Sequence, residues 1–257
     1  MSQNTNINTD TTFFTNEEGY QLVDRFKQTI SQAKFFDALV GYFRISGFHQ
    51  LYKELEGVDK IRILVGLDVD KKSFDLIDET RQQGLDFESN KKATEITTQA
   101  VIEELNTSED SYNTEVSGLK FKEFLTTDCN NKEDDISNGG NGKKLEFRVY
   151  PSKNIHAKVY VTRYKDHISS IQKGSVITGS SNFSFTGLQA NREFNVELKN
   201  NSDLNFALNQ FEDLWKNSVD ISKDYITTLD KKTWLNENIS PYDLYLKMLY
   251  EYFKEDI

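Results

Sequence analysis

The beginning of the chain alternates between amphipathic segments and short, almost wholly apolar runs. Apolar residues at helical spacing predict a helix that starts near Asn16, where Thr15 and Glu18 have the spacing of a capping box. The run FFDALVGYF at 35–43 predicts a buried strand, a short helix follows it, and IRILVGL at 61–67 predicts a second buried strand. The order strand, helix, strand favours a parallel pair in an α/β sheet.

The second half of the chain returns to strands and then ends in helices. Apolar runs and alternating patterns predict four strands, at 145–150, 156–163, 174–180 and 194–199. The last helix is predicted to begin with Ser240 as its N-cap and Pro241 as its first residue. No internal repeat is visible, which argues against two tandem copies of one site.

These elements predict an α/β fold with a mixed, largely parallel sheet sandwiched by helices. Residues 1–12 are polar and predict a disordered tail, and residues 13–200 form the predicted sheet domain. Within that domain, 70–126 predicts a polar helical insertion, and 127–143, rich in Asn, Asp, Gly and Lys, predicts a mobile loop. Residues 201–257 predict a C-terminal helical extension.

Charge and composition narrow the possible functions. The net charge of −10 argues at first against a nucleic-acid partner, but Lys143 to Lys199 holds ten Lys or Arg and only four Asp or Glu. Such clusters are also common on solvated surfaces. The single cysteine, Cys129, excludes an internal disulfide and a Cys-rich zinc site. No signal-like segment and no long apolar stretch is present, which predicts a soluble, cytoplasmic protein.

The candidate chemistry begins with His156 and Lys158, two residues apart on a predicted strand. The period of two places both on one face, whereas Ala157 and Val159 point to the other. A lone histidine on a strand is more often structural than catalytic. The catalytic interpretation of His156 gains support because Gly-Ser-Ser-Asn at 179–182 ends a second predicted strand. Glu193 then follows Asn182 by eleven residues.

The order His, Lys, Ser, Asn and Glu resembles the H-x-K, G-S-x-N and E pattern of the phospholipase D superfamily, most specifically over 154–197. More of the chain is similar to the phospholipase D-like domain at the N-terminus of some bacterial helicases, and that group resembles metal-independent restriction endonucleases. No G-x-x-x-x-G-K-[ST] nucleotide-binding loop is present. The sequence departs from the family at Arg163, where the family often has aspartate, which weakens the case for phospholipid chemistry more than for nuclease chemistry.

The resemblance implies a phosphodiesterase that acts through a phosphohistidine. His156 would attack phosphorus, Lys158 would supply fixed positive charge, and Ser180 and Asn182 would donate hydrogen bonds to the phosphate. Glu193 would hold the second ring nitrogen of the histidine and support the imidazolium. Neither a metal nor another cofactor is predicted.

Four further residues are candidates for substrate binding. Arg44 lies at the end of the first predicted strand, where α/β sites usually form, although a surface arginine is an equally good interpretation. The remaining three are Ser181, Lys153 and Lys173, chosen because they lie beside the motif or in the basic segment.

The chain carries one H-x-K, whereas the family brings two together across a two-fold axis. A homodimer with one shared site is therefore predicted, with the surfaces near the Gly-Ser-Ser-Asn turn at 179–182 and at 183–188 as the candidate contact. The leading hypothesis is a nuclease or DNA-processing domain whose partner is nucleic acid, with DNA as the favoured interpretation over RNA, and with a fused or associated helicase as a further partner. The alternatives are a lipid phosphodiesterase and a non-catalytic DNA-binding or dimerisation module.

Overall fold

The computed structural model describes residues 11–17, 20–66, 90–99, 112–151, 155–169, 172–232 and 241–253. Its strands are β1 (Phe13–Thr15), β2 (Ala33–Val40), β3 (Lys60–Val65), β4 (Leu145–Val149), β5 (Val159–Tyr164), β6 (Gly174–Gly179), β7 (Phe194–Leu198) and β8 (Val219–Asp220). The labelled helices are α1 (Leu22–Ser31), α2 (Ile45–Leu55), α3 (Tyr112–Thr126), α4 (Lys132–Ser137), α5 (Asp166–Ser169), α6 (Asn201–Lys216), α7 (Ser222–Lys232) and α8 (Pro241–Phe253). Residues 90–99 are also helical.

The eight strands form one sheet in the order β1-β7-β6-β5-β2-β3-β4-β8. Strands β2, β3 and β4 run parallel to one another, and the other neighbouring pairs are antiparallel. The prediction of a mixed α/β sheet is confirmed, and its parallel part is confined to these three strands. They are also the strands that helical connections join, which is the arrangement that a parallel crossover requires.

Helices cover both faces of the sheet. On one face, apolar side chains of α1, α2, α3 and α7 join a core that includes Phe36, Tyr160 and Phe147. On the other face, α6 packs Phe211 and Trp215 against the aliphatic residues of β2 and β3. Residues 201–232 of the predicted C-terminal helical extension contain α6, β8 and α7, and they pack against the sheet. None of the described helices is long and apolar enough to cross a membrane.

The start of α1 differs from its prediction. The helix begins at Leu22 and not near Asn16, and the predicted capping box includes Glu18, which lies outside the described residues. The side chain of Asn16 instead accepts a hydrogen bond from the Leu22 amide, 3.0 Å away. An asparagine several residues ahead of a helix can satisfy one of its unpaired amides from a distance, which local spacing does not reveal.

The segment 127–143 is folded, where its composition predicts a mobile loop. It contains α4 and a bridge between Asp128 and Lys143. The buried ammonium of Lys60 explains why this segment is ordered, because a buried positive charge requires carboxylate partners. Asp135 lies 2.7 Å from the ammonium and Glu146 lies 2.6 Å from it. The predicted insertion at 70–126 is helical where it is described, and the predicted tail lies almost entirely outside the described residues.

A buried carboxylate, Asp37 on β2, binds two arginines of the neighbouring strands. Arg62 approaches it at 2.6 Å and 3.0 Å in a two-point contact, and Arg163 lies 3.2 Å away. Burial would raise the pKa of Asp37, but the two guanidinium groups outweigh burial and hold that pKa below its ordinary value of 3.8. Arg163, which stands where the family often has aspartate, therefore forms an ion pair with the Asp37 carboxylate on β2.

Replacement of Asp37 by asparagine is expected to lower the free energy of unfolding by about 3 kcal/mol, because it removes the buried carboxylate that Arg62 and Arg163 share, although Arg62 keeps its ion pair with Glu212. The deficit should be full above pH 3.8 and should shrink as the pH falls through the lowered folded pKa, where wild-type Asp37 also becomes neutral. Urea unfolding at several pH values measures both effects.

The matched control is Asp166→Asn, which removes the carboxylate of a surface ion pair with Lys34. We expect a change below about 1 kcal/mol, since exposed pairs contribute little. Equal effects of Asp37→Asn and Asp166→Asn would contradict a special role of the buried cluster.

Candidate active site

The candidate residues meet at the end of the sheet where β2 and β3 finish. Gly41 follows β2, and an ideal Cβ placed on it would lie 3.3 Å from Asn182 Oδ1 and 3.8 Å from His156 Cα. Gly66 follows β3, and a Cβ there would collide with the carbonyl oxygen of Ile155. Both glycines thus let the segment around His156 approach the strand ends closely. Ligand sites of open α/β sheets commonly form at this carboxyl end.

His156 and Lys158 lie just before β5 and not within it, which corrects their predicted placement on a strand. The predicted alternation nevertheless continues through them, because Ile155, Ala157 and Val159 pack beside α6 on the other face. The histidine is exposed and the lysine is half-buried, with Lys158 Nζ donating to the His156 carbonyl at 2.8 Å. The ammonium is therefore attached to the backbone of His156, and the imidazole has no hydrogen-bond partner within the described part of the chain.

Asn182 is oriented by the backbone after β2. Its side-chain oxygen accepts from the Tyr42 amide at 3.3 Å, which leaves the side-chain nitrogen as a donor for a ligand. Phe183, which follows Asn182, is also held beside the residues after β2. It forms a bridge with Phe43, and its carbonyl accepts a hydrogen bond from the Arg44 amide at 2.9 Å. The backbone of Arg44 is thus attached beside Asn182, and the contact of its side chain with substrate stays a prediction.

Ser180 and Glu193 form a second pair at this end. The Ser180 hydroxyl donates to the Glu193 carboxylate and accepts from the Phe194 amide at 3.1 Å. Asn191 donates to the other carboxylate oxygen at 3.5 Å. In this single chain, Glu193 therefore holds Ser180 and Asn191, whereas the predicted contact with the ring of His156 is not made.

The remaining candidates do not all reach the site. Ser181 is fully buried, and its hydroxyl has no partner among the described residues, so it cannot contact substrate as predicted. Lys173 is exposed, but it precedes β6 while Ser180 follows it, so the two lie about 20 Å apart along the strand. Lys153 lies outside the described residues.

The predicted dimer contact at 183–188 is mostly occupied within the chain itself. Phe183 and Leu188 are fully buried in the main core, where the phenyl ring of Phe183 stacks on Phe43. Of the large apolar residues in that segment, only Phe185 is exposed. The apolar residues of this segment therefore pack mainly within the chain. Residues 183–188 expose little apolar surface for contact with a second copy.

Asn16 is a residue of the site region that the sequence pattern does not reveal. Its side-chain nitrogen donates to the Gly187 carbonyl at 2.9 Å and to the Asn191 carbonyl at 3.0 Å. It is buried, and it ties the start of α1 to the π-helix (Thr186–Ala190) that joins Asn182 to Glu193. An isolated asparagine near the N-terminus carries no sequence signal for such a contact.

Arg163, where the sequence departs from the family pattern, is remote from the site. It lies near the end of β5, about 17 Å along the strand from Lys158, and binds Asp37. The departure at Arg163 therefore lies away from the candidate site. No group of three His, Cys, Asp or Glu side chains in the described ranges is arranged to hold a metal ion.

One protein-family comparison agrees with the motif. Residues 129–215 match the family model described as "Cardiolipin synthase, PLD-like domain". The matched segment contains all five motif residues, from His156 to Glu193, and it confirms the predicted relationship to the phospholipase D superfamily. No curated protein matches the chain.

Solved structures show only distant likenesses. NucT from Helicobacter pylori is 10% identical with a TM-score of 0.41, covering 81% of this chain and 96% of its own. Nuc from Salmonella typhimurium, a phospholipase D family member, is 15% identical with a TM-score of 0.41, covering 81% and 95%. Phosphatidylserine synthase from Haemophilus influenzae is 13% identical with a TM-score of 0.42, covering 95% and 44%. At such low TM-scores these likenesses carry no argument about function.

Proposed function

We propose that this chain, whose residues 129–215 belong to the phospholipase D superfamily, is a nuclease-type phosphodiesterase that works without a metal ion. The observation that carries the proposal is the convergence beside Gly41 of His156 and Asn182, with Lys158 attached to the His156 carbonyl. These side chains supply a nucleophile, a fixed positive charge and a hydrogen-bond donor at one place. Cleavage of a phosphodiester needs these three functions and a proton for the leaving oxygen.

In the proposed reaction, a neutral His156 attacks phosphorus and forms a P–N bond while the bond from phosphorus to the leaving oxygen breaks. A protonated imidazole gives its proton to that oxygen, so the alcohol leaves as a neutral group. The imidazole, now neutral, then takes a proton from water as the water oxygen attacks the phosphohistidine. The P–N bond breaks, His156 is released, and the second imidazole is protonated again.

The second imidazole is proposed to be His156 of a second copy of the chain. The other histidines are poor substitutes, since His49 is hydrogen-bonded to Ser117 between α2 and α3 and His167 belongs to α5, near the opposite end of β5. His156 is exposed, which lets the same residue of another copy approach it. A closed two-fold arrangement brings identical residues together at its axis.

Nucleic acid is the proposed substrate class because the motif residues lie in the basic segment of the chain. The segment from Lys143 to Lys199 carries ten basic and four acidic residues in a chain whose net charge is −10. Of its cations, Lys158 lies at the site, whereas Arg163 and Lys173 lie toward the opposite ends of β5 and β6. Phosphate backbones are bound mainly by such local charge. A fused or associated helicase stays a prediction.

A lipid phosphodiester is the second candidate substrate. The observation that favours it is the description of the matching family, which names cardiolipin synthase. The two substrate classes share the same reacting group and would use the same residues. They differ in what surrounds the phosphate, so they are separated by substrate and not by mutation of the site.

We expect the purified chain to hydrolyse bis(p-nitrophenyl) phosphate and labelled DNA at the same rate with and without EDTA, because protein side chains supply every charge that the reaction needs. The measurement is nitrophenol release, with gel analysis of single-stranded DNA, double-stranded DNA and RNA. Phosphatidylglycerol vesicles are assayed in parallel. The His156→Ala chain, prepared in the same way, reveals any contaminating nuclease.

Three results would change the proposal. Activity that disappears in EDTA and returns with Mg²⁺ would refute the metal-independent reaction. Turnover of phosphatidylglycerol without turnover of any nucleic acid would move the assignment to the lipid candidate. Binding of DNA without turnover of any phosphodiester, including the reporter, would identify a non-catalytic module.

A further inference from the structure

A fully buried tyrosine links the two halves of the candidate site. Tyr160 on β5 is 1% exposed, and its hydroxyl donates a hydrogen bond to the Ser181 carbonyl at 2.8 Å. Lys158 lies two residues before this tyrosine, and Asn182 directly follows the serine. One side chain therefore joins the segment that carries the H-x-K residues to the turn that carries the G-S-x-N residues.

The alternation of β5 places Tyr160 below the candidate site. Residues two apart on a strand point to the same face, so the tyrosine shares a face with Lys158 and His156. Val159 packs on the other face, beside α6. The ring of Tyr160 belongs to the main core, with its centroid 4.8 Å from that of Phe26. Because Tyr160 is buried there, it can affect a bound substrate only through the residues that it holds.

The hydrogen bond fixes the peptide group that leads into Asn182. The Ser181 carbonyl and the Asn182 amide belong to one planar unit, so holding the carbonyl oxygen also sets the direction of the chain at Asn182. The side chain of Ser181 supplies no other anchor, because its buried hydroxyl has no partner among the described residues. Tyr160 therefore helps to set where the turn lies relative to β5.

A second hydroxyl makes a matching link on the other face of the sheet. The Thr178 hydroxyl on β6 donates to the Lys158 carbonyl at 2.8 Å. Thr178 is opposite Val159 in the register of β5 and β6, so it points toward α6, whereas Tyr160 points into the main core. The two hydrogen bonds thus fix the spacing of the two motif segments from both faces.

The tyrosine donates whatever the protonation state of the site. Burial raises the pKa of the Tyr160 hydroxyl well above its ordinary value of 10, and the Tyr42 and Glu193 side chains raise that pKa further. The hydroxyl therefore keeps its proton throughout the pH range in which imidazoles titrate.

We propose that Tyr160 and Thr178 are positioning residues for the phosphodiester reaction, whose hydroxyl groups hold the turn at 179–182 in place against the H-x-K segment. The inference rests on the proposed function and adds to it two residues outside the motif. Asn182 must donate to the same phosphate that His156 attacks, so an error in their separation weakens the transition state more than the bound substrate. A misplacement of about 1 Å costs on the order of 10²-fold in rate.

Tyr160→Phe removes one oxygen atom and keeps the ring in the core. We expect kcat for bis(p-nitrophenyl) phosphate to fall at least about tenfold while KM changes less than about twofold, because Asn182 is then poorly aligned in the transition state. The two limbs of the pH–rate profile should stay at the same pH, since Tyr160 does not titrate in that range. Steady-state kinetics at several pH values measure both effects, and urea unfolding shows that the variant is folded.

Tyr164→Phe is the matched control, because Tyr164 is also buried and points to the same face of the same strand. Its hydroxyl donates to Ser175 on β6 at 3.3 Å, and it lies about 13 Å along the strand from Tyr160, away from the site. Each substitution removes one hydroxyl that links β5 to the β6 side of the sheet, so their urea midpoints should shift by similar amounts. Tyr164→Phe should nevertheless keep the wild-type kcat.

Thr178→Val removes the second link without touching the core tyrosine, and it should also lower kcat more than KM. It decides the question if Tyr160→Phe does not fold. A wild-type kcat in either variant, a loss confined to KM, or an equal loss in Tyr164→Phe would overturn the positioning role. A wild-type chain that hydrolyses no phosphodiester would reject the proposed function and this role together, whereas an active wild type with unaffected variants would reject the role alone.

Discussion

Replacement of His156 by alanine is expected to reduce phosphodiester hydrolysis by at least about 10³-fold. In a symmetric dimer the substitution removes two functions at once, because each copy loses its imidazole. The nucleophile disappears together with the acid that protonates the leaving oxygen, and acid–base catalysis alone contributes about 10²–10⁴-fold. The site should still bind phosphate, since Lys158 and Asn182 do not depend on the imidazole for their contacts.

The measurement is steady-state hydrolysis of the reporter and of single-stranded DNA, with unfolding curves to show that the variant is folded. His167→Ala is the matched control, because this second histidine belongs to α5, near the opposite end of β5 from the site. It should retain wild-type activity. If both alanine variants kept their turnover, or if only His167→Ala lost it, the assignment of His156 as nucleophile would be wrong.

Dimers that contain one wild-type chain and one His156→Ala chain are expected to be nearly inactive. Their only site would hold a single imidazole, which can attack or protonate but cannot do both. With free exchange of subunits, an equal mixture should therefore retain about a quarter of the activity of wild-type chains alone. Two independent sites would retain about half.

The titration is performed at constant total protein after incubation under conditions that exchange subunits, and mass spectrometry of tagged chains confirms the mixed species. Activity that falls as the square of the wild-type fraction supports the shared site. A straight-line decrease, or full activity from a chain that light scattering shows to be a monomer, would refute it. In either refuting case the second proton donor must come from within one chain.

Much of the fold is readable from local pattern. The apolar runs at 35–43 and 61–67 correspond to β2 and β3, and the helical spacing between them corresponds to α2. Periodicity reports which side of an element is buried, so it predicts each element well when burial decides its conformation. It also separates the side chains of His156 and Lys158 from those of Ala157 and Val159.

A prediction from local pattern fails where a distant residue determines the conformation or burial of a segment. The composition of 127–143 predicts mobility, but the buried ammonium of Lys60 orders the segment by binding Asp135. The apolar residues at 183–188 resemble an exposed contact surface, although the ring of Phe183 is buried against Phe43. In both cases the deciding contact comes from a residue outside the segment. Lys60 on β3 orders 127–143, and Phe43, which follows β2, packs against 183–188.

By itself, the sequence predicted the candidate catalytic residues, their order along the chain and the family to which they point. Only the tertiary structure decided their geometry: the approach of His156 to Gly41, the orientation of Asn182 by Tyr42, and the retention of Ser180 by Glu193. Asn16 illustrates the reason, since it binds the Gly187 carbonyl across 171 residues of chain. Side-chain types and their spacing express local preference, whereas close approach and hydrogen bonding depend on which distant strands the shared core brings together.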